Sequence, residues 1–326
     1  MKICIYGAGA VGGLMAGRLA KAGHAVSVVA RGAHLTAIRK DGLRIRTPDG
    51  HVSTVQVKAS ETTAELGPQD YVIVAVKGQS MPDVAGAIAP LLGHTTTIVT
   101  AMNGVPWWFF DRLAFGDGKL RLDSLDPGGA ISRAMPTERI VGCVIHLAAS
   151  TPEPGLISHN MGQRLIIGEP GGKNTGRTKL LAAALKEAGF EAVESPFIEK
   201  DFWVKLLGNI SFNPVSALTL ATANRLIADE HVKAYMVSIM RECLAIGRAV
   251  GVDADIDPEA RMDMARKLGA FKTSMLQDME AGKRLEIDGL LSGTLEIAKK
   301  AGVAAPFTES LAGLARLRAE STGQYP

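Results

Sequence analysis

The chain has 326 residues, 47% hydrophobic and 21% charged, with a formal net charge of +3. That length buries a large core and suits two domains, and the composition is that of an ordinary globular protein. A charge so close to neutral offers no electrostatic footprint for nucleic acid, while leaving room for a local basic site that binds a phosphate.

The opening MKICIYGAGAVGG is apolar only briefly before glycines break it, which is not the pattern of a signal peptide. No run approaches the roughly 20 apolar residues that span a bilayer. Cys4, Cys143 and Cys243 are odd in number, far apart and without metal-ligand spacing, the usage expected in a reducing compartment. A cytoplasmic protein with no membrane partner and no metal is the expectation.

In chain order, Lys2–Tyr6, Ala25–Ala30, Tyr71–Val76 and Thr97–Ala101 are short β-branched runs that read as buried parallel strands. Ala10–Lys21 and Met81–Leu92 between them read as helices, and the alternation implies a doubly wound sheet. Leu43–Arg46 and Val52–Val57 flank Asp49-Gly50, a hairpin turn. Ile140–Leu147, Gly155–His159 and Arg164–Ile167 read as three antiparallel strands extending the sheet. Asn174–Ala188 is a helix stopped by Gly189, and a short strand comes after it. Beyond Pro196 the strand pattern ends. Glu199–Leu220, Glu230–Val250, Pro258–Glu280, Leu285–Ala301 and Thr308–Arg318 carry helical periodicity, with Gly251, Gly282 and Gly302 at breaks. The expected organisation is a Rossmann-type α/β domain over residues 1–197 and an all-α domain over 198–326.

Two constellations carry chemistry. Gly7-Ala8-Gly9-Ala10-Val11-Gly12 forms G-x-G-x-x-G between the first strand and first helix. Gly7 permits the tight turn, Gly9 lets backbone approach a pyrophosphate, and Gly12 lets helix pack on strand. The helix N-terminus offers N–H groups to the phosphate. The second strand ends Val28-Val29-Ala30-Arg31-Gly32, without the acid that would bind a ribose 2′-hydroxyl. Arg31 suits a 2′-phosphate instead, so NADPH is the expected cofactor. Lys77, after the Tyr71–Val76 strand, adds charge at the same sheet edge.

The other constellation begins with Asn103, just after the Thr97–Ala101 strand. Lys205, Asn209 and Asn213, spaced by four, share one face of a predicted helix. Asn is a mediocre helix former and Pro214 removes a helical hydrogen bond, so the sequence accepts a local cost there. Ser274 and Glu286 fall on what read as successive helices across Gly282.

These segments together resemble the ketopantoate reductase (2-dehydropantoate 2-reductase) family. The matches are the glycine loop, Asn103-Gly104, Lys205-Leu206-Leu207-Gly208-Asn209 with Asn213-Pro214, and Lys272-Thr273-Ser274-Met275-Leu276-Gln277-Asp278 leading to Glu286-Ile287-Asp288. They span essentially the whole chain, and the last two segments are much more specific than the glycine loop. The resemblance implies a C-terminal domain like that of 6-phosphogluconate dehydrogenase. It also implies NADPH-dependent reduction of a small 2-keto acid to a 2-hydroxy acid, 2-dehydropantoate to (R)-pantoate in pantothenate biosynthesis. Lys205 would be the general acid and Glu286 would bind a substrate hydroxyl. Asn209, Asn213 and Ser274 would hold the keto acid, and Asn103 would lie beside both nicotinamide and substrate.

The stretch Val105–Glu138 departs from the family's compact members. Its Trp107, Trp108, Phe109 and Phe110 either fill core or line a cleft for a bulkier keto acid or imine. A non-catalytic NADPH sensor is the alternative of another class, disfavoured by the presence of both Lys205 and Glu286. His146 and His159 read as structural. The exposed helix faces leave room for a homodimer that nothing in the sequence fixes.

Overall fold

The computed structural model describes residues 1–118, 120–267 and 269–326. They form two compact units: Met1–Met102 with Gly129–Ile198, and Asn103–Gly128 with Glu199–Pro326.

The first unit is built on strands β1 (Lys2–Tyr6), β2 (Ala25–Val29), β3 (Leu43–Arg46), β4 (Val52–Val55), β5 (Lys58–Ser60), β6 (Gln69–Val74), β7 (Leu92–Ala101), β8 (Ile140–Glu153), β9 (Leu156–Gly168) and β10 (Glu191–Glu194). They make one sheet in the order β4-β3-β9-β8-β7-β6-β1-β2-β5, with β10 also paired to β9. The run β5-β2-β1-β6-β7-β8 is parallel throughout and has the strand order of a dinucleotide-binding sheet. The helices α1 (Ala10–Lys21), α2 (Gly32–Asp41), α3 (Met81–Ala87), α4 (Ala130–Ala134) and α5 (Gly176–Glu187) complete the unit. Continuous apolar runs, not alternation, mark the central strands: Ile3, Cys4 and Ile5 in β1 and Val72, Ile73 and Val74 in β6 are all buried. Burial pushes the Cys4 thiol up to about 12 and raises Cys243 as well, so both are inert apolar-like residues.

Several features differ from the sequence reading: the helix expected over Met81–Leu92 ends at Ala87, with Leu92 already in β7, and the short α4 is not in that reading. Helix α2 is likewise absent from it. Only Leu35 and Ile38 of its ten residues are buried, too few for a clear amphipathic stripe. The three-residue β5 is another, being too short to show alternation. Finally, the three strands expected between 140 and 167 are two, β8 and β9, paired antiparallel with register shifts near His146 and Ala148. Gly162, at φ +69° against the His146 carbonyl, reads as a turn but sits in a bulge through which β9 continues.

The second unit carries α6 (Ile198–Thr219), α7 (Ala223–Ala228), α8 (Glu230–Ala249), α9 (Pro258–Lys267), α10 (Ser274–Glu280), a π-helical turn (Asp288–Ser292), α11 (Gly293–Ala301) and α12 (Pro306–Ser321). Helix α7 has no counterpart in the sequence reading. The helix expected over Pro258–Glu280 is two, separated by Gly269 at φ +71° and restarted by Thr273, whose Oγ1 accepts from the Leu276 N–H at 3.1 Å. The helix expected from Leu285 begins later. Leu285 donates its N–H to the Gln324 carbonyl instead, so Glu286 lies in a non-helical stretch before the π turn. Among the described residues, no helix is long and apolar enough to cross a membrane.

Candidate active site

In the first unit the glycine loop joins β1 to α1. Gly7 sits at φ +101°, and a Cβ there would meet Val76 Cγ1 at 2.6 Å. A Cβ on Gly12 would fall 2.0 Å from the Gly7 carbonyl oxygen, so only glycine lets α1 start this close to β1. Gly9 has the opposite surroundings: a Cβ added there would have no atom within 4 Å. As N-cap of α1 it carries no side-chain cap, and the first turn holds no acid. Those residues leave uncapped N–H groups, a positive helix end and open space above Gly9, which is what a pyrophosphate requires.

Arg31 succeeds β2 as the N-cap of α2 and is exposed. Among the described residues its guanidinium has no hydrogen-bond or ion-pair partner, which fits a residue awaiting an anion. Lys77 comes after β6, half-buried, at the start of a 3-10 turn.

Sequence reasoning missed His34. Its Nδ1 accepts from the Gly155 N–H at 3.0 Å, so Nε2 carries the proton and donates to the Ala8 carbonyl at 2.7 Å. The ring thus braces the glycine loop against the β8–β9 turn. Burial lowers its pKa, partly offset by the bond to Ala8, so the neutral form that this geometry needs is favoured. A histidine three residues past Arg31 was the available hint. His159, by contrast, is structural: it contacts Arg18 Nη2 at 3.1 Å and the Gly162 carbonyl, inside the sheet unit.

In the second unit Lys205, Asn209 and Asn213 lie on α6. Aromatic packing fixes that helix on two sides. Trp203 donates Nε1–H to the Cys243 carbonyl of α8 at 3.1 Å, over Gly247, where any Cβ would clash with the indole. Phe202 meets Trp108 edge-on at 5.5 Å, and Trp203 meets Phe109 at 5.6 Å. Trp107, Trp108, Phe109 and Phe110 are all buried, so the aromatic run is core beneath the helix.

Lys205, held this way, donates from Nζ to Asn103 Oδ1 at 2.7 Å. Asn103 is fixed in turn by its next two residues. Gly104 adopts φ +76° with no room for a side chain against Gly289, whose carbonyl accepts the Val105 N–H at 2.9 Å. Gly289 belongs to the π turn shortly after Glu286, so Asn103 and the half-buried Glu286 stretch are tied through one backbone contact. Such π turns often occur at functional sites. Asn213 Nδ2 reaches Ser274 Oγ at 3.4 Å, the outer limit of a hydrogen bond, at the first residue of α10. Asn209 is half-buried and its amide has no partner among the described residues. The unit therefore pairs Lys205 with Asn103 and Asn213 with Ser274 and leaves Asn209 open between them.

Residues 3–108 match the family model described as ketopantoate reductase PanE/ApbA, and residues 198–319 match its C-terminal model. A 2-dehydropantoate 2-reductase of Mesorhizobium japonicum is 43% identical over 326 residues, covering all of both chains. One from Halobacterium salinarum is 27% identical and covers 97% of this chain and 98% of its own. A solved structure of a ketopantoate reductase homologue from Ralstonia solanacearum is 48% identical, with TM-score 0.95 and 99% of each chain covered. That of 2-dehydropantoate 2-reductase from Geobacter metallireducens is 29% identical, with TM-score 0.86 over 98% of this chain and 100% of its own. With both family models matched in order along a Rossmann-like unit and a helical unit, the chain belongs to the ketopantoate reductase family.

Proposed function

We propose that this chain reduces 2-dehydropantoate to pantoate with NADPH, with Lys205 as the proton donor. The observation that carries this reading is the 2.7 Å bond from Lys205 Nζ to Asn103 Oδ1 on a helix whose next turn offers Asn209. An ammonium has three donors, so it can hold Asn103, which aims it, and a substrate oxygen at the same time.

The cofactor's holders would be the glycine loop for the pyrophosphate, Arg31 for the 2′-phosphate and Lys77 beside them. The absence of an acid at the end of β2 supports NADPH over NADH. When bound, the nicotinamide supplies a hydride to the keto carbon. Negative charge then gathers on the keto oxygen, where a donor must already be in place. Lys205 binds that oxygen and passes it a proton. Glu286 accepts a hydrogen bond from the substrate hydroxyl, and Asn209, Asn213 and Ser274 line the keto acid's site. The burial of Trp107 to Phe110 removes the main reason to expect a bulkier substrate.

The test is NADPH oxidation over a panel of 2-keto acids that includes 2-dehydropantoate. That acid should be the best substrate, and Lys205→Ala should lower kcat by on the order of 10²–10⁴-fold with the Kd for NADPH nearly unchanged. Near-normal kcat in that variant would remove Lys205 from the chemistry. A panel in which 2-dehydropantoate is inert would remove the substrate assignment.

A further inference from the structure

Helix α6 carries a glycine, Gly208, beside its face of Lys205, Asn209 and Asn213, three residues after Lys205. What occupies the space that glycine leaves is the guanidinium of Arg261 from α9. A Cβ on Gly208 would lie 2.9 Å from Arg261 Nη2 and 3.4 Å from Nε. The arginine is half-buried, and burial lowers its pKa. Among the described residues it has neither a hydrogen-bond nor an ion-pair partner.

That isolation is costly. A guanidinium partly withdrawn from water without an anion loses solvation that no partner replaces. The neighbouring acids do not serve it. Glu259 pairs with Lys233 at 2.6 Å, Asp263 pairs with Arg266, and Asp257 caps α9 through the N–H groups of Glu259 and Ala260. An ordinary surface arginine would extend to water or to one of these carboxylates. This one lies against backbone, in a space that only glycine provides.

Residues three apart on a helix are neighbours on its surface. The guanidinium therefore lies against the helix position that neighbours Lys205, one turn along α6. In a 2-keto acid the carboxyl carbon is bonded directly to the keto carbon, so the group that holds the carboxylate must lie close to the one that protonates the keto oxygen. We propose that Arg261 is the carboxylate anchor, its planar fork taking the substrate's carboxylate while Lys205 serves the adjacent keto oxygen. The assignment rests on the 2-keto acid reading and deepens it. Substrates of this chain must carry a free carboxylate next to the ketone, and the corresponding amide or ester is rejected. Arg suits the task because its fork matches a carboxylate with two parallel bonds, which a lysine's point charge does not.

The test compares 2-dehydropantoate with its carboxamide, which keeps the ketone and hydroxyl but has no carboxylate. Wild-type protein should strongly prefer the acid. Arg261→Gln should lower kcat/KM for the acid by roughly 10- to 150-fold, the loss of one charge-assisted contact, and leave the carboxamide nearly unchanged. The preference for the acid should therefore collapse. An unaltered Kd for NADPH shows that the variant is folded. If it is not, Arg261→Lys, which keeps the charge without the fork, should show a partial collapse. An equal loss on both substrates, or an unchanged preference, overturns Arg261 as the anchor while leaving the reductase reading intact. A wild-type protein inert toward every 2-keto acid overturns both.

Discussion

At the scale of single residues, what the sequence disclosed depended on how far apart the cooperating groups lie along the chain. Lys205, Asn209 and Asn213 were legible because helical spacing alone puts them on one face. The pairing of Lys205 with Asn103 spans 102 positions and needed the fold. Arg261 was invisible, since nothing in Pro258–Lys267 distinguishes an arginine against backbone from one in water. The glycine loop is the opposite case, with each glycine bearing a separate and testable load. Gly9→Ala should fold normally, because its added methyl meets nothing within 4 Å, yet lose NADPH affinity by blocking the pyrophosphate. Gly12→Ala should destabilise the protein by about 1–3 kcal/mol or more, because its methyl strikes the Gly7 carbonyl. Thermal unfolding and fluorescence titration with NADPH separate the two. Equal melting temperatures for both variants would contradict the division of labour.

At the scale of elements, strongly patterned pieces were read correctly and weakly patterned ones were not. Strands β1, β2 and β6 are central and show it as short, mostly apolar runs; the buried end of β7 was read from Thr97, while its more polar, partly exposed start from Leu92 was not. Helix α2 escaped notice because two buried residues do not make a stripe, and with it went His34. The consequence is pH-dependent. A half-buried neutral histidine with a lowered pKa contributes stability that is complete above its ordinary value of about 6.5 and is lost as pH falls through the lowered value. Protonation would set an Nδ1–H against the Gly155 N–H and release the brace on Ala8. Affinity for NADPH should therefore weaken as pH falls through that lowered value, beyond the change expected from the phosphate's own titration. His34→Gln should lower affinity at neutral pH and flatten that extra dependence. Parallel pH profiles of Kd for the variant and the wild-type protein would remove His34 from the role.

At the scale of the molecule, the two fold classes were plain in the sequence, as strand patterns that stop near Pro196 and helical ones beyond it. What no local pattern disclosed is that Asn103–Gly128 packs with the helical unit, although the sheet unit surrounds it in sequence. Its ties there are specific. Glu296 on α11 accepts from the N–H groups of Asp123 and Ser124 at 3.0 and 2.9 Å and from Ser124 Oγ at 2.7 Å. Gly293 packs against Leu125, and the aromatic run packs under α6. The helical unit is thus assembled from two stretches of the gene, which limits how evolution or an engineer can recombine it. A chimera that takes residues 199–326 from a distant relative at a single crossover near 198 would inherit an α6 without the aromatic bed shaped for it and a Lys205 facing a foreign Asn103 loop. Such hybrids should express poorly and melt well below either parent. Hybrids that exchange 103–128 together with 199–326 should recover both stability and turnover. If single-crossover and double-crossover hybrids melt alike, the inserted stretch is a passive passenger and the helical unit is a true cassette.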